Sequence, residues 1–152
     1  MANTAGVCNS FKSEALSGIH ALGTTVVRGA TTADTVKAAL YLASASITAA
    51  TTAYTATGEC AATGGYSAGG ITVTNATAPS TSGSTGIWTP SESLVFTNIT
   101  PGGAVDAVLI YNSTQSNKAI EVCTFASQTP SAATLTLTMP TNDASNALLR
   151  VA

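Results

Sequence analysis

The chain is 152 residues long, the size of one domain, and its formal net charge of -2 with only 5 Lys+Arg leaves no basic surface to neutralise a phosphate backbone. Charged residues make up 8% of the chain, against roughly 25% in typical soluble domains. Their place is taken by 28 Ala, 27 Thr and 16 Ser, and one His with 7 Asp+Glu offers little material for acid–base catalysis.

A surface of hydroxyls with low net charge favours association, and β-branched Thr suits half-buried strands. The chain therefore reads as a β-rich domain that lives in an assembly. Its opening residues 1–8 carry neither a basic leader nor a long apolar run, so synthesis in a cytoplasm is expected. The greasiest stretch, residues 104–111, is too short to cross a bilayer and carries Asp106, so no membrane association is expected.

Residues 9–22 place Phe11, Ala15, Leu16 and Ile19 near helical spacing, with Asn9 or Ser10 as N-cap and Glu14 in the first turns. This predicts one short amphipathic helix, ended by Gly23. Residues 24–28 are nearly all β-branched and predict a first strand. Residues 34–43 alternate, with Val36, Ala38, Leu40 and Leu42 on one face and Thr35, Lys37, Ala39 and Tyr41 on the other, as in a half-buried strand.

Residues 44–52 read as a loop or an edge, and residues 54–60 as a short strand. Gly64, Gly65, Gly69 and Gly70 bracket Tyr66 and Ser67, which suits turns with positive φ before a strand over 71–74. No phosphate-binding spacing or lysine accompanies these glycines. Residues 78–86, rich in Ser, Thr and Gly, predict a mobile loop tip.

A strand around Leu94 and Phe96 leads through the turn 101–103 into residues 104–111, apolar on both faces apart from Asp106 and so expected at the sheet centre. Residues 112–118 predict a hairpin loop joining that strand to residues 119–125. Leu135, Leu137 and Met139 alternate with Thr134, Thr136 and Thr138, one wall of a sheet with its other side wet. Pro140 ends it, and residues 146–152 supply the last strand.

About eight short strands punctuated by Gly, Pro and Asn predict an all-β fold, an antiparallel β-sandwich with a short N-terminal helix. The expected organisation is a single domain over 1–152, with a helical segment over 1–23 and the sandwich over 24–152.

Cys8, Cys60 and Cys123 are odd in number, far apart and without a Cys-x-x-Cys, so they read as three reduced thiols, and neither a metal nor another cofactor is expected. His20 has no nucleophile in a recognisable elbow beside it and reads as a capping, packing or surface residue. Asp106 reads as a buried carboxylate bonded to backbone or Arg, and Glu59, Glu92, Glu121 and Asp143 form no acidic pair or calcium loop. No catalytic residue is assigned. Trp88, beside the polar segment, is a candidate partner anchor or a core residue.

Particular words then stand out in order. They are Met1-Ala2-Asn3-Thr4, Cys8-Asn9-Ser10-Phe11-Lys12, Ala38-Ala39-Leu40-Tyr41-Leu42 and Thr51-Thr52-Ala53-Tyr54 with Gly58-Glu59. After them come Gly65-Tyr66-Ser67-Ala68-Gly69-Gly70, Ala107-Val108-Leu109-Ile110-Tyr111-Asn112 and Asn117-Lys118-Ala119. Across nearly its whole length the chain resembles small virion structural proteins of tailed bacteriophages. The resemblance implies a capsid decoration (cement) protein at the capsid surface of the virion, with the major capsid protein and its own copies as partners.

On this reading the N-terminal segment with Phe11 and Ile19, together with Trp88 and the polar loops, is expected to face partners. The alternatives are a tail or tail-tube component of the same virion, and a carbohydrate-binding module that stacks sugars on Trp88, Tyr66 and Tyr111.

Overall fold

The computed structural model describes residues 3–8, 10–11, 15, 18–24, 32–74, 77–83 and 85–151. Ten strands are described, and no helical element of the predicted length is seen. They are β1 (Gly6–Val7), β2 (Val36–Leu42), β3 (Ile71–Thr72), β4 (Ser80–Ser82), β5 (Thr85–Trp88), β6 (Leu94–Ile99), β7 (Val105–Asn112), β8 (Lys118–Gln128), β9 (Ala133–Leu137) and β10 (Leu149–Val151). All their pairings are antiparallel, in a five-stranded sheet β1-β8-β7-β2-β3, a three-stranded sheet β10-β5-β4 and the pair β6-β9. The fold is all-β and sandwich-like, as the strand pattern predicts.

The apolar run behind β7 places it third in its sheet, between β8 and β2, where both faces are covered. The predicted hairpin forms, with Asn112 opposite Lys118 and Ala107 opposite Thr124. Pairing of Ala38 with Ile110 and of Leu40 with Val108 sets these four side chains on one face. Phe125, Leu137, Met139 and Leu148 gather beside Val108, so β9 and the approach to β10 lie over that face.

The other face, carrying Ala39, Tyr41, Leu109 and Tyr111, is closed by a segment the sequence reads as loop and short strand. Ala53 bridges to Lys118 on the β8 side, and Glu59 bridges to Tyr41 on the β2 side. Residues 53–59 therefore cross the sheet from one side to the other. This corrects the half-buried reading of β2: Ala39 and Tyr41 are both fully buried.

Three further expectations change. The segment over 78–86 is no loop tip; most of it builds the hairpin β4–β5, with Ser80 opposite Ile87 and a turn at Gly83, φ 62°. Residues 54–60 contribute bridges, not a strand. Of the predicted helix over 9–22, Ser10, Phe11 and Ala15 have helical backbone, and Gly18 to Leu22 do not. Gly18 takes φ 68°, a left-handed conformation that stops a right-handed helix. Ala21 then exchanges backbone hydrogen bonds with the Asp34 residue, donating to its Oδ2 at 3.0 Å and accepting from its N–H at 3.2 Å. The strand expected over 24–28 falls mostly outside the described residues.

Candidate functional site

The residues that carry the resemblance converge in space. Glu59 lies where the crossing segment reaches β2, and the two glycine-rich turns fold residues 64–70 back beside it. Its Oε2 accepts from the Tyr54 hydroxyl at 2.6 Å, and its Oε1 accepts from the Tyr66 hydroxyl at 2.6 Å and the Gly69 N–H at 2.7 Å. The Tyr66 oxygen in turn accepts the Leu40 N–H of β2 at 3.0 Å. Tyr111 of β7 donates to the Gly69 carbonyl at 2.8 Å and stacks on Tyr54, with ring centroids 4.9 Å apart. Tyr41 donates to the Thr55 carbonyl and so fastens the middle of the crossing segment. All 4 tyrosines of the chain thus meet around one carboxylate.

Burial is the first cause of the raised pKa of each of these phenols; it takes Tyr41 up to about 12, and the Glu59 carboxylate adds to the rise in Tyr54, Tyr66 and Tyr111. A phenol held neutral donates its hydrogen bond and does not act as a base or nucleophile near neutral pH. The Cys60 thiol beside Tyr66 is likewise pushed up to about 12, chiefly by burial, which keeps it from the reactive thiolate form. The network is built to hold backbone segments together.

A second cluster joins the N-terminal segment to β7. Asn112 is fully buried; its Oδ1 accepts the Gln115 N–H at 3.1 Å, which fixes the amide orientation. Its Nδ2 therefore donates, to Asp34 Oδ2 at 2.7 Å and to His20 Nδ1 at 3.1 Å. His20 must present a lone pair at Nδ1, and its ring packs on Phe11 at 4.8 Å. Its role is the packing one read from the sequence. Asp106 accepts from Asn3 Nδ2 at 2.6 Å, a side-chain amide where backbone or Arg was expected, while Asn3 Oδ1 accepts the Ile47 N–H.

The predicted partner contacts are placed differently from expectation. Phe11 and Trp88 are 3% and 2% exposed and belong to the core, and Ile19 is half-buried. Trp88 is drawn inward because β5 lies between β10 and β4 and its indole N–H reaches the Thr77 carbonyl at 3.2 Å. Neither Phe11 nor Trp88 offers a face to a partner, and Tyr66 and Tyr111 are equally buried, which removes the sugar-stacking platform. Trp88→Ala is expected to destabilise the fold by about 3–5 kcal/mol, the usual cost of emptying a buried aromatic site; denaturation in urea measures it, and a loss under 1 kcal/mol would mean the site is not packed.

The three cysteines are free thiols, and no cluster of three or more His, Cys, Asp or Glu residues suited to a metal occurs among the described residues. No helix among them is long and apolar enough to cross a membrane.

Sequence reading missed Glu59 because its partners come from Tyr54, Tyr66 and Gly69 through turns, not through a motif. It also passed over Glu121 on β8. This carboxyl is pushed up to about 8 by burial, with Arg150 pulling it partly back. The fold thus favours its neutral form, while the unfolded chain ionises near 4.5. Its contribution to stability is complete below pH 4.5 and is lost as pH rises through 8. At about 1.4 kcal/mol per unit, the unfolding free energy should fall by roughly 3–5 kcal/mol across that window, and Glu121→Gln should abolish this component. Urea melts at stepped pH read it; equal pH dependence in both proteins would refute the assignment.

Searches of protein-family models, curated proteins and solved structures return no match for this chain.

Proposed function

We propose that the chain is a structural protein of a tailed-bacteriophage virion, a capsid decoration protein that binds the outer surface of the major capsid lattice and stabilises the shell. What carries the reading is that the words resembling phage virion proteins meet in one fold-locking network around Glu59. They are the parts a rigid β-domain of that kind depends on. The low-charge hydroxyl surface supports it too, since such a surface can be buried against a shell without stranding charges.

With Phe11 and Trp88 interior, the contact surface is assigned to exposed elements: the Ser/Thr edge of β4, the outer face of β9, and Val95 and Val151, exposed by 45% and 60%. A specific contact needs roughly 1,000 Å² of buried surface, and repetition over a lattice multiplies modest contacts through avidity.

A cryo-EM map of the particle tests the proposal. Many copies spread over the head lattice are expected. Density confined to the tail would replace decoration with a tail role, and absence of the chain from the particle would overturn both. Deleting the N-terminal residues is a poor test, because Asn3, Gly6–Val7 and Cys8 are bonded into the fold and deletion would unfold it.

A further inference from the structure

Between the β1–β8 margin of the large sheet and the β5–β10 strands lies a crevice of about 460 Å³, inside the roughly 300–1,000 Å³ range of small-molecule sites. Val7 pairs with Glu121, so the two side chains leave the sheet on the same side and form one wall. Thr85 of β5, Leu148 and Arg150 of β10 line the rest.

Glu121 is the unusual member. Its Oε2 is closed off from solvent and has no hydrogen-bond partner, a condition that is costly in a folded protein and calls for an explanation. Arg150 uses Nη1 on the Ser145 carbonyl and keeps its other guanidinium donors, on a side chain that is itself exposed. Two opposite charges thus line one crevice, the acid with an oxygen unmatched and the base with donors to spare.

We infer that this crevice binds a small zwitterion of the α-amino-acid type, its ammonium on Glu121, its carboxylate on Arg150 and an aliphatic side chain against Val7 and Leu148. A simple cation would leave Arg150 facing like charge, and a simple anion would leave the Glu121 oxygen without a donor. One molecule carrying both groups satisfies both walls, and the apolar remainder of the lining suits an aliphatic body. Glu121 and Arg150 are the two charged side chains lining the crevice.

The proton balance follows from burial of the acid. Near neutral pH Glu121 holds its proton in the empty crevice, and an incoming ammonium favours the carboxylate, so that proton passes to solvent on binding. Affinity should therefore strengthen between pH 6 and pH 8, by at most about tenfold per unit.

The full chain, uniformly labelled with nitrogen-15, is titrated with L-leucine at pH 6, 7 and 8, with methylammonium and acetate as single-charge probes. Saturable shifts at the Val7, Glu121 and Arg150 amides, with a Kd of about 1 mM or tighter and stronger binding at higher pH, are expected. Glu121→Gln and Arg150→Gln should each weaken binding tenfold or more while the remaining spectrum stays that of the folded chain.

Acetate binding as tightly as L-leucine, and weakening as pH rises, would mark an anion site and overturn the inference. So would methylammonium matching L-leucine, or no saturation with any probe. These measurements need no particle, so their outcome is independent of the virion proposal.

Discussion

Glu59→Ala is expected to lower the unfolding free energy by about 3–5 kcal/mol, because one carboxylate accepts hydrogen bonds from three donors and each bond to a charged acceptor contributes roughly 1.5–3 kcal/mol. The half-buried position of Glu59 keeps the total in the lower part of that sum. Removing it leaves the Tyr54 and Tyr66 hydroxyls and the Gly69 N–H unmatched, and releases the crossing segment and the glycine turns together. Glu59→Gln should cost only about 1–2 kcal/mol. Its Oε1 still accepts from Tyr66 and Gly69, and its new amide can donate to the Tyr54 oxygen. Chemical denaturation of the two variants at pH 7 separates these values; an alanine variant within 1 kcal/mol of the parent would show that the network does not hold the fold.

What the sequence conveys about this protein is what is encoded locally. β7 is legible because an unbroken apolar run needs no distant information to be read as a doubly covered strand. The alternation of Leu135 and Leu137 with threonines gives β9 for the same reason: the threonines are exposed and the leucines are half-buried. Alternation fails at β2, where Ala39 and Tyr41 sit at positions that should face water. They are buried because residues 53–59, distant partners in pairing terms, cross above them.

Polarity misleads in the opposite sense at β4. A short edge strand with hydroxyl side chains has no apolar alternation to betray it, and Ser80, Thr81 and Ser82 look like loop. Trp88 could be placed near a turn but not inside or outside, since that depends on β10 arriving from the far end of the chain. The candidate sites follow the same division. The glycine-rich turns around Tyr66 are visible as turns, whereas their convergence on Glu59 needs the tertiary fold. Glu121 gave a weaker local signal, a lone charge in an otherwise apolar run, and its meaning emerges only when Arg150 is brought opposite.

Gly70→Ala is expected to be the most damaging single substitution named for this chain, with a loss above about 4 kcal/mol and a fall in Tm of roughly 10 °C or more, or no folded protein at all. Two separate causes act there. The first is conformational: Gly70 has φ 73°, and an L-residue in the left-handed region costs about 1–2 kcal/mol. The second is steric. A Cβ at this position would lie 1.8 Å from the Ala38 carbonyl oxygen and 2.7 Å from the Ala39 Cα, inside β2.

That backbone cannot retreat, because Ala38 and Ala39 pair with Ile110 and Leu109 of β7 on the other side and sit at the centre of the core. Gly83→Ala isolates the first cause. It also has positive φ, 62°, but a Cβ there meets no atom within 4 Å, so only the conformational cost of about 1 kcal/mol should appear. Thermal and urea unfolding of both variants tests the distinction. Equal losses would mean that the turn, not its contact with β2, limits stability; a collapse confined to Gly70→Ala would place the constraint where the glycine-rich turn meets the sheet that Glu59 also fastens.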